Sequence, residues 1–173
     1  ATAAITVALD CGVTADEIRA ALPGFKGVHR RFNIISASED LILIDDYAHH
    51  PKEIEATLKS VRRIWPDRYL TVVFQPHLYS RTKDFAPEFA QSLSLADEVV
   101  LMNIYPAREK PIPNVSSNIS MDKITVPVRL MTESEIVEAA PGFKGIAITM
   151  GAGDIDKLPS KIYAKLNAVK SAA

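Results

Sequence analysis

Short, predominantly apolar runs, at 41–44, 69–74, 98–103, 128–131 and 146–150, recur along this chain with helix-like segments between them. A strand without polar alternation has no face to give to water, so it must be covered on both sides, as parallel strands are. Strand and helix in alternation therefore predict an α/β fold, a doubly wound, mostly parallel sheet. Residues 32–35 and 41–44 flank a polar turn at 36–40 and predict an amino-terminal hairpin leading into that sheet. Between strands, helices are expected at 51–65, opened by Pro51 and stopped by Pro66, at 83–95 and at 133–140, with a weak one near Met121 and a closing one from Asp154.

Ahead of the hairpin, residues 3–9 and 15–22 read as two short helices, the second opened by Thr14 with Glu17 three residues on. The change of pattern places a domain boundary near 28–31, giving a remnant of another domain and a linker at 1–30 and a sheet domain at 31–173. The first residue is not Met and already lies in a helix-like segment, so the chain reads as a piece of a longer one. Pro-Gly-Phe-Lys-Gly occurs at 23–27 and 141–145, each time after a helix, which reads as a helix-to-strand turn rather than a repeat architecture.

Twenty basic residues against 21 acidic ones leave a net charge of -1, which offers no electrostatic footprint for nucleic acid. No apolar run approaches the ~20 residues that span a bilayer, and no signal core opens the chain, so no membrane partner and a cytoplasmic location are expected. Cys11 is the sole cysteine, which excludes a disulfide framework and a thiolate metal cluster.

Sheets of this class bind ligands at the carboxyl ends of their strands, so the loops after Ile44, Phe74, Asn103 and Met150 are expected on one edge. The first reads Asp45-Asp46-Tyr47-Ala48-His49-His50-Pro51. It admits three readings: a metal site, for which a distant third ligand is lacking; a structural loop, with Asp46 on backbone amides and His50 capping a helix; or a ligand site, with Asp46 on ribose hydroxyls and Tyr47, His49 and His50 flanking a base.

The second loop sets His77, Tyr79 and Arg81 just before a helix. A planar guanidinium there suits a carboxylate or phosphate, although Arg81 could also pair with Asp84 or Glu88 along the helix. A Ser80, His77 and Asp84 triad lacks the glycines of a nucleophile elbow. In the third loop, Tyr105 to Glu109 could be a rigid turn with an Arg108–Glu109 ion pair. The fourth, Gly151-Ala152-Gly153-Asp154, has two glycines of a dinucleotide fingerprint but Asp156 at the third place, so a tight turn capped by Asp154 fits better and an oxidoreductase is disfavoured. No Gly-x-x-x-x-Gly-Lys-Ser/Thr phosphate loop occurs in the sequence.

These loops, together with Gly-Val-His-Arg-Arg-Phe at 27–32 and the segment 105–111, resemble in register the Mur ligases of bacterial cell-wall synthesis, whose carboxy-terminal domain has a dinucleotide-binding fold. The resemblance is to the branch that joins L-alanine to UDP-N-acetylmuramate with ATP and Mg2+, through an acyl phosphate. It implies that Arg31 and Asp46 contact the nucleotide, with Tyr47, His49 and His50 beside them, that His77, Tyr79 and Arg81 face the amino acid, and that 31–173 is the carboxy-terminal domain. The phosphate loop, the metal and the bond-breaking groups then belong to the rest of the same polypeptide, and this part is expected to be inactive alone. Leu78 stands where many relatives carry an arginine. Two other readings remain, the sister ligase that recycles a murein tripeptide and a nucleotide-binding module without chemistry.

Overall fold

In a computed structural model, which describes residues 2–25 and 27–172, the runs at 41–44, 69–74, 98–103 and 146–150 are the inner strands of one six-stranded sheet, whereas the run at 128–131 is an edge strand with no buried residue. The strands are β1 (Asn33–Ala37), β2 (Leu41–Asp46), β3 (Leu70–Phe74), β4 (Glu98–Leu101), β5 (Val128–Leu130) and β6 (Gly145–Met150), and their order is β1-β2-β6-β3-β4-β5. The predicted hairpin is β1 and β2, paired antiparallel; every other pairing is parallel. The helices are α1 (Thr2–Asp10), α2 (Ala15–Ala21), α3 (Pro51–Ile64), α4 (Tyr79–Asp84), α5 (Ala86–Leu93), α6 (Asn118–Met121), α7 (Glu133–Ala139) and α8 (Leu158–Ala172).

Side chains alternate between faces along a strand, and here both faces are buried. Ile42, Ile44, Val72, Phe74 and Ile148 meet Ile54, Leu58 and Val61 of α3 and Phe89 and Leu93 of α5. On the other face Leu43, Val73, Val100 and Ala147 meet Ile136 of α7 and Leu158 and Ile162 of α8. This is the doubly wound arrangement expected, with β6 lying between β2 and β3.

Two expectations need correction. The single helix foreseen at 83–95 is two, α4 and α5, broken at Phe85 (φ -113, ψ 19), because Pro87 has no N–H to continue the ladder. The closing helix does not run directly from Asp154: a 3-10 turn, Asp154–Lys157, precedes α8.

The capping box of α2 forms as foreseen, yet α1 and α2 contain no buried residue, and Val7 and Leu9 of α1 are exposed, as are Val13, Leu22 and Phe25 in the segments that flank α2. Both copies of the repeated pentapeptide follow a helix through a 3-10 turn, Leu22–Gly24 and Ala140–Gly142, although Lys26 of the first lies outside the described residues. Gly145, ending the second copy, has φ 69, and a Cβ there would stand 2.4 Å from the Tyr69 carbonyl oxygen.

Candidate functional site

At the carboxyl edge the loops are stitched to each other. Gln75 N–H donates to the Met150 carbonyl at 3.0 Å and Met102 N–H to that of Phe74 at 2.9 Å, so the loops after β3, β4 and β6 leave the sheet together. The glycine-bearing turn serves this packing. A Cβ at Gly153 would lie 2.5 Å from Gln75 Oε1 and 2.6 Å from Tyr105 Cγ, so the space a dinucleotide's pyrophosphate would need is filled by side chains. Asp154 does not cap the helix as expected. Its carboxylate accepts from Gln75 Nε2 at 2.7 Å, and Gln75 Oε1 accepts the Ile155 N–H at 3.0 Å, so Gln75 does the capping from another loop.

The linker before β1 closes over the first loop. Arg30, in the left-handed region at φ 57, places Nε 3.0 Å from Asp45 Oδ2 and donates from Nη2 to the Gly151 carbonyl at 2.7 Å, while Thr149 donates to Asp45 Oδ1 at 2.9 Å. With the two side chains 11% and 4% exposed, this pair ties linker, β2 and β6 into one unit. Asp46 is buried and accepts the Phe32 N–H and the Ala48 N–H, each at 2.8 Å. Burial raises its pKa against those two bonds and nearby Arg31. Tyr47 receives the guanidinium carbons of Arg30 at 5.2 Å and Arg31 at 5.6 Å over its ring. His50 caps α3, its Nδ1 accepting the Lys52 N–H at 3.4 Å, and Glu53 returns the cap on the His49 and His50 amides. The structural reading of Asp46 and His50 is thus realised.

It does not exhaust the loop. Arg31, Phe32, Asp46 and Glu53 line an open pocket of about 410 Å³ with Ala56 and Thr57 of α3, and each Asp46 oxygen retains a lone pair beyond its amide bond. The pocket brings together Arg31 and Asp46, the pair that the family resemblance assigns to a nucleotide; Tyr47 and His49 are not among its lining residues, and their rings meet each other edge to face at 5.1 Å.

The second loop joins the first through His49 and His77, whose rings are 6.1 Å apart edge to face, and the third through His77 and Tyr105, stacked at 5.7 Å. Burial, then the charges of Arg81 and His49, hold the His77 imidazole below its usual pKa. His77 Nδ1 and Arg81 Nη1 are the buried side-chain atoms without a hydrogen-bond partner among the described residues. Such groups in a well-packed chain call for a ligand or water. The pairing of Arg81 with Asp84 or Glu88 is not made among the described residues, and the Ser80 triad is not either, because the Ser80 hydroxyl donates to Glu109. Glu109 bonds Ser80, so the Arg108–Glu109 ion pair that the loop could have held is not made among the described residues, and Arg108 is exposed. Tyr79 is half-buried at the first turn of α4.

Sequence reasoning missed Arg30, Gln75, Tyr105 and Glu109 as organisers of the edge. The segment 27–32 drew attention, yet nothing in it distinguished Arg30 from Arg31. A cavity of about 820 Å³ lies at the opposite end of the sheet around Arg68, Tyr69 and Lys144. Its guanidinium, Arg68, is already satisfied by the carbonyls of Ser38, Glu39 and Gly145, so the unmet polar demand lies at the carboxyl edge. Among the described residues no group of three or more His, Cys, Asp or Glu is placed to hold a metal ion, and no helix is long and apolar enough to cross a membrane.

Comparison with known proteins agrees with this geometry. Residues 30–153 match the family described as "Mur ligase, glutamate ligase domain". The UDP-N-acetylmuramate--L-alanine ligase of Porphyromonas gingivalis is 46% identical over 94% of this chain and 37% of its own length, and that of Cytophaga hutchinsonii is 49% identical over 91% and 34%. The chain thus spans about a third of the length of these curated relatives. Among solved structures, the UDP-N-acetylmuramate-alanine ligase of Thermotoga maritima superposes with a TM-score of 0.78 at 26% identity, covering 95% of this chain and 36% of that one. A murein peptide ligase from Psychrobacter arcticus shares the fold at TM-score 0.66 and 22% identity, over 94% and 35%. With the family match covering the linker arginines, the sheet and all four edge loops, the chain belongs to the Mur ligase family.

Proposed function

We propose that this chain is the nucleotide- and amino-acid-orienting domain of an ATP-dependent ligase that joins L-alanine to UDP-N-acetylmuramate in peptidoglycan synthesis. The observation that carries it is the His77 and Arg81 pair, whose buried Nδ1 and Nη1 lack partners among the described residues at the carboxyl edge of the sheet. A guanidinium fork matches the carboxylate of an amino acid. The identity of 44–49% to ligases named for L-alanine supports that amino acid.

In this reading residues 1–30 close a preceding domain, which accords with the unburied α1 and α2, and 31–173 form the orienting domain. Arg31 and Asp46 would hold the nucleotide in the pocket they line, and Tyr47, His49 and His50, on the same loop as Asp46, would flank it outside that lining. ATP would supply the phosphoryl group that activates the muramyl carboxylate. Arg81 would fix the amino acid's carboxylate, and Tyr79 would border it. His77, neutral near pH 7 because burial disfavours its charged form, would not compete with the incoming ammonium group. This chain's share of the rate is orientation, which converts an encounter into a positioned reaction. Among the described residues no group of three or more His, Cys, Asp or Glu is placed to hold a metal ion, so we assign magnesium no ligand among them.

The test is phosphate release from ATP by the full-length parent protein with UDP-N-acetylmuramate, with L-alanine or the murein tripeptide as acceptor. Release that depends on L-alanine is expected. Release with the tripeptide alone would place the chain in the recycling branch, and release with neither would leave a nucleotide-binding module.

A further inference from the structure

We infer that Glu109, on the loop after β4, is a positioning residue for the amino-acid substrate, fixing Ser80 and through it the adjoining Arg81. This rests on the proposed function. The Glu109 carboxylate accepts the Ser80 N–H through Oε2 at 3.0 Å and the Ser80 hydroxyl through Oε1. Both bonds reach across 29 residues of sequence, so they hold one loop against another rather than shaping a local turn.

The rest of the loop works in the same direction. Tyr105 N–H donates to the Pro76 carbonyl at 2.8 Å, and its own carbonyl accepts the Leu78 N–H at 3.0 Å. Leu78 sits at φ 72, a conformation a branched side chain resists, so the second loop needs outside contacts to keep its shape. Tyr105 fixes the part before Leu78 and Glu109 the part after it. Arg81 is the single guanidinium between residues 75 and 82, since position 78 is leucine. With one fork to receive a carboxylate, a small rotation of the first turn of α4 would misdirect it.

The Ser80 hydroxyl and amide hold the Glu109 carboxyl below the ordinary glutamate range, so the clamp stays charged at neutral pH. Glu109 itself has its two oxygens directed to Ser80 and is not placed on the substrate.

The experiment uses the full-length parent enzyme, with KM for L-alanine, KM for ATP and hydroxylamine-trapped acyl phosphate measured side by side. Glu109→Ala is expected to raise the L-alanine KM about ten-fold, the scale of a lost charge-assisted hydrogen bond. KM for ATP and trapped acyl phosphate should stay within about two-fold, because that half-reaction does not use Arg81. Glu109→Gln keeps an acceptor for the Ser80 N–H and should recover most of the loss. The double variant Ser80→Ala, Glu109→Ala should be no worse than Glu109→Ala alone, since both remove one clamp. An unchanged L-alanine KM in Glu109→Ala, or equal rises for both substrates, overturns the inference. A wild-type enzyme with no L-alanine-dependent turnover overturns the reading beneath it.

Discussion

The Asp46 carboxylate accepts the backbone N–H of Phe32 at 2.8 Å, so the acid at the end of β2 also anchors the linker that enters the sheet. Phe32 lies at φ 51 and Arg30 at φ 57, two left-handed residues that a free linker would not favour. The conformation persists because Asp46 and the Arg30–Asp45 pair hold it.

Asp46→Asn should therefore do more than weaken nucleotide binding. An amide side chain offers one acceptor where two N–H groups need one each, so a loss of about 1 to 3 kcal/mol in urea unfolding is expected. In the parent enzyme the ATP KM should rise as well. A stability loss with an unchanged ATP KM would make Asp46 a structural anchor alone.

Gly153→Ala tests the packing of the edge. Its Cβ would enter the space held by Gln75 Oε1 at 2.5 Å and Tyr105 Cγ at 2.6 Å, so the loops after β3 and β4 must part. The expected cost is about 1 to 3 kcal/mol, as for overpacked interiors, together with a higher L-alanine KM because Tyr105 braces His77. Thermal unfolding unchanged from wild type would show that the loops move freely there.

The depressed pKa of His77 gives a pH dependence with a definite sign. Burial, with Arg81 and His49 nearby, makes the folded imidazole bind its proton less readily than the unfolded one, whose value is about 6.5. The unfolded state therefore takes up more protons as pH falls through that window, and the contribution present at neutral pH is lost on acidification. Wild type should lose more stability than His77→Gln between about pH 7.5 and about pH 5.5 in denaturant titrations. Identical losses would contradict the direction.

The sheet was legible because β2, β3 and β6 are runs such as Leu41-Ile42-Leu43-Ile44, buried on both faces, and such runs announce themselves locally. His77 and Arg81 were legible because they sit where a strand hands over to a helix. Arg30 and Glu109 were not, since their partners lie 121 residues away at Gly151 and 29 away at Ser80, and no local pattern encodes a contact of that span. The break at Phe85 was readable in principle from Pro87, which a continuous helix over 83–95 could not have accommodated without a gap in its ladder.

The most direct test of the account is the effect of Arg81→Ala on the two substrates of the full-length parent enzyme. The Arg81 Nη1 has no hydrogen-bond partner among the described residues, and in the proposed function it receives the carboxylate of the amino acid. Loss of a guanidinium fork is worth about 1.5 to 3 kcal/mol, roughly ten- to a hundred-fold. The account predicts that loss in kcat/KM for L-alanine, with the ATP KM nearly unchanged. Equal losses for both substrates, or none for L-alanine, would contradict it.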